Sequence, residues 1–265
     1  MSALLKDAAS GLEYMALGET KKPQHIIVVL HGTGDNCRGI EPLGDLFVKS
    51  FENTLVLIPN GPVSMAEIYP PEQIEAAKAA NPAFDPEAAR NWAGAAKTVV
   101  TDEESMARAV DEVMTPPAIA LNTLIDGQMR KYGLDEKNLV IYGFSAGGLM
   151  ALHTAIAHDK PYAGVVSHSG HFLGADQAAS KPKVLMIFGD QEMATPQINE
   201  LFTASAENLR DHGLSVEVHV CKDLAHGINQ ESFETARNFI GESLGIAKDI
   251  PLPKPSLSKP PKPRF

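Results

Sequence analysis

The 265-residue sequence predicts an α/β fold with a mainly parallel central sheet and helices on both of its faces. Short, nearly continuous runs of β-branched and aliphatic residues recur along the chain, and such runs are typical of strands buried on both faces of a parallel sheet. Segments with helical spacing of apolar residues lie between these runs. Strands that alternate with helices form βαβ units, which pair their strands in parallel through right-handed crossovers.

Six segments have the composition of strands in such a sheet: His25–Leu30 and residues 54–58, 139–142, 163–166, 184–188 and 215–220. The last of them alternates valine with polar residues, which is the pattern expected near a sheet edge. Residues 11–18 are a further candidate strand near the N-terminal end of the sequence.

Helical patterns occupy the connections. Residues 146–158 have the composition of a buried helix rich in small side chains, and residues 197–211 and 230–244 are amphipathic. Thr115 followed by Pro116 predicts a helix start, because threonine is a good N-cap and proline fits the first helical position. Apolar residues then recur at four-residue spacing up to Gly133, where we expect the helix to end.

Two parts of the chain depart from this alternation. Residues 63–114 are longer than an ordinary connection and contain a helix-like run at 72–80 and a second helix-cap signature at 85–87. We therefore expect a single domain over residues 1–248, in which residues 63–114 form a helical insertion and a candidate lid. Residues 249–265 are rich in proline and lysine, which predicts a disordered or polyproline-like tail.

Composition excludes several classes of protein. The net charge of −10 argues against a nucleic-acid partner, because phosphate backbones require clustered Lys and Arg. The sequence lacks a run of eighteen apolar residues and a basic signal-peptide region, so we expect a cytoplasmic protein without an integral membrane segment. Cys37 and Cys221 are too few for a disulfide framework, and neither shows a second Cys or His at metal-ligand spacing. We expect free thiols, no metal and no cofactor.

The segment Gly143-Phe144-Ser145-Ala146-Gly147 is a G-x-S-x-G pentapeptide between a predicted buried strand and a predicted helix. This strand–turn–helix setting is that of the nucleophile elbow of the α/β-hydrolase fold, in which a tight turn raises the serine hydroxyl above the sheet. Large side chains at either flank of the turn would clash, which explains the two glycines. Ser145 is therefore the candidate nucleophile.

A serine hydroxyl needs a general base, which in this fold follows the acid late in the chain. Of the nine histidines, His226 has the expected location, in a short loop between the last predicted strand and the last predicted helix. The acid should lie in the loop after residues 184–188, where both Asp190 and Glu192 could orient the imidazole. The position of the loop alone does not decide between them.

Acyl transfer also requires two backbone N–H groups directed at the developing oxyanion. We expect one of them from Ala146, directly after the candidate nucleophile. The other should come from Thr33, in the glycine-rich loop His31-Gly32-Thr33-Gly34-Asp35 that follows the first buried strand.

Taken together, these motifs resemble the phospholipase/carboxylesterase family, which includes the acyl-protein thioesterases. The resemblance covers roughly residues 20–245 and rests on VLHGTGDN (29–36), LIPNGP (57–62), RNW (90–92), IYGFSAGG (141–148), FGDQEMATP (188–196) and AHGI (225–228). Family members read H-G-x-x-D-x-x-V-P after the late strand, with that Asp as the triad acid. The resemblance places Glu192 at this position and keeps Asp190 in reserve. Phe188 and Ala146 stand where the family usually has His and Gln.

These residues predict a serine hydrolase that cleaves small-molecule carboxylic esters of short to medium acyl length through an acyl-enzyme intermediate. The resemblance also implies an alternative, a lysophospholipase or acyl-protein thioesterase. A different class of function is a non-catalytic module with the hydrolase fold that binds partners through its proline-rich tail. Candidates for the substrate pocket are Met65, Tyr69, Trp92 and Phe144. The sequence leaves the oligomeric state open, a dimer included.

Overall fold

The structure of the protein, a computed structural model, describes residues 2–172 and 178–246, without the side chains of residues 103, 104 and 107. The predicted tail, residues 249–265, lies outside the described residues. The strands are β1 (Leu5–Lys6), β2 (Glu13–Gly18), β3 (His25–Leu30), β4 (Thr54–Pro59), β5 (Val63–Ser64), β6 (Arg90–Asn91), β7 (Leu139–Phe144), β8 (Gly164–His168), β9 (Lys183–Gly189) and β10 (Ser215–Cys221). The helices are α1 (Cys37–Ser50), α2 (Met65–Ile68), α3 (Pro71–Ala80), α4 (Glu103–Tyr132), α5 (Ala146–Ile156), α6 (Pro196–Asp211) and α7 (Gln230–Ser243), with a 3₁₀ turn at Glu136–Asn138.

Eight of the strands form one sheet in the order β1-β2-β4-β3-β7-β8-β9-β10. The six strands from β4 to β10 pair in parallel, whereas β2 is antiparallel to both β1 and β4. The six predicted strands and the further candidate at residues 11–18 are all present. The predicted fold class is therefore confirmed. Strands β5 and β6 form a separate two-stranded ribbon in the insertion.

Helices cover both faces of the sheet because successive side chains of its strands point to opposite sides. In β3, Ile26, Val28 and Leu30 pack into a core shared with α4, α5 and α6. Ile27 and Val29 pack into a second core shared with α1 and α7. Among the described residues, no helix is both long enough and apolar enough to cross a membrane.

The predicted start of the longest helix is wrong. Helix α4 begins at Glu103 rather than at Pro116, because Asp102 provides an earlier and complete cap: its Oδ1 accepts from the Ser105 amide at 2.7 Å, and Ser105 Oγ accepts from the Asp102 amide at 3.0 Å. Pro116 and Pro117 therefore lie inside the helix, where proline removes a backbone hydrogen bond. Both prolines border an open surface cleft, where water can hydrate the carbonyls that lose their partners.

The predicted second cap at residues 85–87 is also wrong as a helix start. The Asp85 side chain accepts from the Glu87 amide at 3.0 Å, but the helical bonding stops after one turn, closed by Ala89 N–H and Asp85 O at 2.8 Å. The chain then enters β6, and the Arg90 amide donates to Asp35 O at 2.9 Å. Pairing with the loop that follows β3 competes with helix extension at this point and prevails.

Glycines at the turn between β7 and α5 are required by close packing. An ideal Cβ on Gly147 would lie 2.6 Å from the His31 carbonyl oxygen and closer still to that of Leu30, so this residue presses the start of α5 against the end of β3. A Cβ on Gly143 would collide with the Gly147 backbone. The sequence-based explanation of these two glycines is confirmed.

We predict opposite effects for two Gly→Ala substitutions in helices. Gly147→Ala should lower the free energy of unfolding by about 1–3 kcal/mol, because backbone atoms cannot yield to the new methyl group as a side chain could. Gly127→Ala, in α4 where a Cβ meets nothing within 4 Å, should raise it by up to about 1 kcal/mol through helix propensity. Thermal denaturation of both variants tests this, and equal effects of the same sign would contradict the packing argument.

Candidate active site

Ser145 lies at the sharp turn between β7 and α5, with φ 56° and ψ −122°. A positive φ is unusual for a residue with a Cβ, and it is held here by backbone bonds: the Ser145 amide donates to His168 O, and Ser145 O accepts from the Gly148 amide, both at 2.8 Å. The serine hydroxyl therefore stands at the N-terminus of α5, where the helix dipole favours negative charge.

The structure brings Ser145, His226 and Glu192 into one hydrogen-bonded chain. His226 Nε2 lies 3.0 Å from Ser145 Oγ, and His226 Nδ1 lies 2.6 Å from Glu192 Oε1. With the carboxylate accepting at Nδ1–H, Nε2 of the neutral imidazole is free to accept the serine proton. The arrangement has the geometry that a nucleophile, its base and an orienting acid require.

Glu192 is the buried member of this chain, with 8 % of its side chain exposed. Its second carboxylate oxygen accepts from Ser169 Oγ at 2.8 Å and from the Gly189 amide at 3.4 Å. Burial raises the pKa of the carboxyl, but the hydrogen bonds from His226 and Ser169 outweigh burial and hold the pKa of Glu192 below its ordinary value. The carboxylate is therefore ionised at neutral pH and able to orient the imidazole.

Asp190, the reserve candidate for the acid, makes a different contact. Its Oδ1 accepts from the Leu224 amide at 3.2 Å, and the backbone amide of Asp223, together with that of Leu224, lowers the pKa of this carboxyl. The Asp190 amide donates to Cys221 O at 3.0 Å, and the Gln191 amide donates to Leu224 O at 3.1 Å. Asp190 thus joins the loop after β9 to the loop that carries His226.

The glycine-rich loop after β3 is organised by His31, which is fully buried. His31 Nδ1 donates to Gly32 O at 2.7 Å, and His31 Nε2 accepts from the Gly61 amide at 2.9 Å. Burial lowers the pKa of His31 to about 4, so the ring is neutral and can donate at one nitrogen while accepting at the other. The ring therefore sets the path of the backbone that leads to Thr33.

The RNW motif, residues 90–92, supports the same loop from the other side. Trp92 Nε1 donates to His31 O at 2.8 Å, and the two rings lie 4.9 Å apart. The Gly34 amide donates to the Arg90 carbonyl at 2.9 Å, and Thr33 Oγ1 donates to Asn91 Oδ1 at 3.3 Å. Hydrogen bonds from both sides thus hold the glycine-rich loop that follows β3.

The two candidate oxyanion amides lie on the segments that meet at Ser145. A Cβ on Gly32 would lie 3.4 Å from Ser145 Cβ, so the backbone just before Thr33 packs directly on the serine. Ala146 is the first residue of α5. Within the described residues, the amides of Thr33 and Ala146 donate to no other group, which leaves both available to an incoming oxygen.

The four candidate pocket residues have different positions. Phe144 is partly buried, with its ring 5.1 Å from that of His226, a member of the hydrogen-bonded chain. Trp92 and Met65 are buried, at 1 % and 3 % exposure, whereas Tyr69 is exposed. A cleft of about 750 Å³ is lined by Trp92, Val63, Pro116 and other residues but does not reach Ser145.

Sequence reasoning missed Ser169 and the supporting roles of His31 and Trp92. Ser169 is 4 % exposed, has φ 54°, and follows β8 directly. Because β8 lies between β7 and β9, the residue after it must fall between the candidate nucleophile and the candidate acid. A serine at the carboxyl end of a strand next to the elbow is the signal that could have identified it.

Comparison with known proteins identifies the family and the fold. A sequence model of the phospholipase/carboxylesterase family matches residues 99–244. "Esterase YpfH" of Escherichia coli is 24 % identical over 217 residues, 82 % of each chain. "Lysophospholipase-like protein 1" of mouse is 30 % identical over 135 residues, 45 % of this chain and 52 % of its own. The crystal structure of esterase PE8 superposes with a TM-score of 0.66 at 23 % identity, covering 92 % of this chain and 98 % of the other.

The structural likeness shows the fold, and the family match extends over more than half of the 265 residues. This protein therefore belongs to the phospholipase/carboxylesterase family and is a carboxylic ester hydrolase with the α/β-hydrolase fold.

Proposed function

We propose that the protein cleaves small-molecule carboxylic esters of short to medium acyl length, with Ser145 as nucleophile, His226 as general base and Glu192 as the orienting acid. The observation that carries this proposal is the unbroken chain of hydrogen bonds from Ser145 Oγ through His226 to Glu192, at 3.0 and 2.6 Å. Short contacts of this kind pre-align proton transfer with attack on a carbonyl.

The reaction has two halves. Ser145 Oγ attacks the ester carbonyl while His226 Nε2 takes its proton, and the amides of Thr33 and Ala146 stabilise the oxyanion. His226 then protonates the leaving alkoxide, so that the alcohol departs and an acyl-serine remains. In the second half, water attacks the acyl carbon, His226 takes the water proton, and the acid is released as Ser145 regains its hydrogen.

We predict that Ser145→Ala and Glu192→Gln each lower kcat/KM for p-nitrophenyl esters by about a thousandfold or more. Asp190→Asn keeps a side-chain oxygen for the Leu224 amide and should change kcat/KM by less than about threefold, in the range of ordinary surface substitutions. Steady-state kinetics of the three variants beside the wild type, together with fluorophosphonate labelling, checks this.

Either of two results would overturn the assignment: a Ser145→Ala variant that keeps its esterase activity, or an Asp190→Asn variant as impaired as Glu192→Gln. A wild-type protein inactive on every ester and unlabelled at Ser145 would instead favour a non-catalytic binding module. Circular dichroism of each variant serves as the folding control.

Ser169 is proposed to position Glu192. Ser169→Ala removes one donor to the carboxylate, so we expect kcat to fall by about 5- to 30-fold, the equivalent of 1–2 kcal/mol, with KM nearly unchanged. The lost donor also lets Glu192 bind its proton at higher pH. Because activity requires the ionised carboxylate and is lost as pH falls, the acidic limb of the pH–rate profile should move to higher pH.

The matched control is Ser169→Thr, which keeps a hydroxyl. The acidic limb of its pH–rate profile should match that of the wild type, even if strain at the positive φ of residue 169 lowers its stability. A Ser169→Ala variant that loses stability but keeps the wild-type pH profile would reduce this residue to a structural role.

A lysophospholipase activity is the alternative that a specific observation favours, since the mouse relative is named lysophospholipase-like. Lysophosphatidylcholine presents the same ester to the same serine, with a longer acyl chain and a charged head group. The two substrate classes are distinguished by kcat/KM, measured for p-nitrophenyl esters of increasing acyl length and for lysophosphatidylcholine. A kcat/KM that rises toward long acyl chains would favour the lysophospholipase activity over our first proposal.

We infer that residues 1–248 form one domain in which residues 63–114 are an insertion able to act as a lid. Helix α3 supports this proposal, because none of its ten residues is buried. Limited proteolysis should therefore cut within residues 70–88 before it cuts the strands of the sheet. Protection of this segment until global unfolding would show that it is an integral part of the core.

A further inference from the structure

A second group of side chains able to bind a metal ion borders the loop, residues 222–229, that carries His226. His219 and Cys221 alternate along β10, so their side chains point to the same face of the sheet. Glu231 lies in the first turn of α7, which packs on that face. The sequence expectation that neither cysteine has a histidine at metal-ligand spacing overlooked this i, i+2 pair.

The ligand atoms of these three residues already converge. His219 Nε2 lies 2.9 Å from Glu231 Oε1, and the imidazole nitrogen, the thiol sulfur and a carboxylate oxygen all lie within 4.8 Å of one another. Ligands at about 2.0–2.3 Å from a tetrahedral Zn²⁺ are separated by roughly 3.2–3.8 Å. The largest separation allowed by these atoms exceeds the zinc-ligand range by about an ångström, so side-chain shifts of that size would bring them to ligand distances.

The three candidate ligands differ in solvent exposure, and this difference leaves a route for an ion from solvent. Cys221 is fully buried, whereas the side chains of His219 and Glu231 are 37 % and 45 % exposed, so an ion can approach from solvent and meet the sulfur last. The start of α7 is fixed by a capping box between Asn229 and Ser232, with bonds of 2.8 and 3.0 Å. The backbone at Glu231 is therefore held in place before any ion binds.

We propose that His219, Cys221 and Glu231 bind a Zn²⁺ ion, with water as the fourth ligand. Imidazole, thiolate and carboxylate are each Zn²⁺ ligands, and one thiolate with one carboxylate balances the charge of the ion. Binding breaks the sulfur–hydrogen bond of Cys221 and forms a sulfur–zinc bond, and the proton passes to solvent. Oxidation states do not change, so no further reactant is needed.

The position of this site gives it a consequence for the rest of the molecule. Cys221 ends β10 and Glu231 opens α7, and the intervening loop carries His226. An ion held by these two residues ties together both ends of that loop. The Cys221 carbonyl also accepts from the Asp190 amide, so the same clamp reaches the loop that carries Glu192.

The simpler reading is a surface ion pair between His219 and Glu231 above an inert thiol. A pair of this kind contributes at most about 1 kcal/mol and requires nothing of Cys221. Participation of the sulfur is therefore the observation that separates the two readings.

Titration of the wild-type protein with Co²⁺, a spectroscopic substitute for Zn²⁺, tests sulfur ligation directly. We expect a near-ultraviolet thiolate-to-cobalt charge-transfer band that Zn²⁺ removes by competition. The band should be lost in Cys221→Ser and kept in Cys37→Ser, which removes the other free and buried cysteine. His219→Gln and Glu231→Gln, whose side chains are partly exposed and should not disturb folding, are expected to weaken Zn²⁺ affinity by about 10- to 100-fold or more.

His226→Ala is the control for binding at the candidate active site and should keep the band, because this histidine is not a ligand of the proposed ion. Amide hydrogen exchange of residues 222–229 should slow in the presence of Zn²⁺. Absence of a charge-transfer band in the wild type, or its persistence in Cys221→Ser, would overturn the proposal, as would unchanged Zn²⁺ affinity in both His219→Gln and Glu231→Gln.

Discussion

The close approach of Gly147 to the carbonyl end of β3 is the constraint on which the candidate site depends. With no Cβ at residue 147, helix α5 can start directly against Leu30 and His31. The turn that precedes it must then be so tight that Ser145 adopts a positive φ. The same approach places Gly32 against the Ser145 side chain, so that one packing contact positions the candidate nucleophile and the candidate oxyanion loop, residues 31–35.

Hydrogen bonds then hold in place the segments that this packing brings together. The candidate oxyanion loop contains two glycines and would be flexible alone, yet a buried neutral imidazole and an indole N–H bind its backbone from two sides. Such hydrogen bonds are strong because their donors and acceptors are withheld from water. His31 and Trp92 therefore act on the candidate site through its backbone.

The candidate acid and the candidate base are aligned in a similar way at the same edge of the sheet, by the loops that follow β9 and β10. Gly189 lets the loop that carries His226 pack directly on the end of β9, since a Cβ there would collide with Leu224 O. Asp190 joins the two loops through backbone amides, and Glu192, two residues further on, meets the imidazole. The proposed zinc ligands Cys221 and Glu231 border the same loop, which carries His226.

The sequence by itself determined the strands, the elbow at Ser145 and the location of His226, because burial of a parallel strand and the sterics of a tight turn leave local patterns in residue type. It did not determine where α4 begins, since proline at residue 116 and aspartate at residue 102 are both valid starts and only the second completes a cap. Residue patterns also left Asp190 and Glu192 as equals until the family resemblance ranked them. Tertiary structure placed Glu192 against His226 and Trp92 against the candidate oxyanion loop. It also added Ser169 and brought together His219, Cys221 and Glu231. Each of these depends on contacts between segments far apart in the chain, and such contacts are set by packing across the sheet.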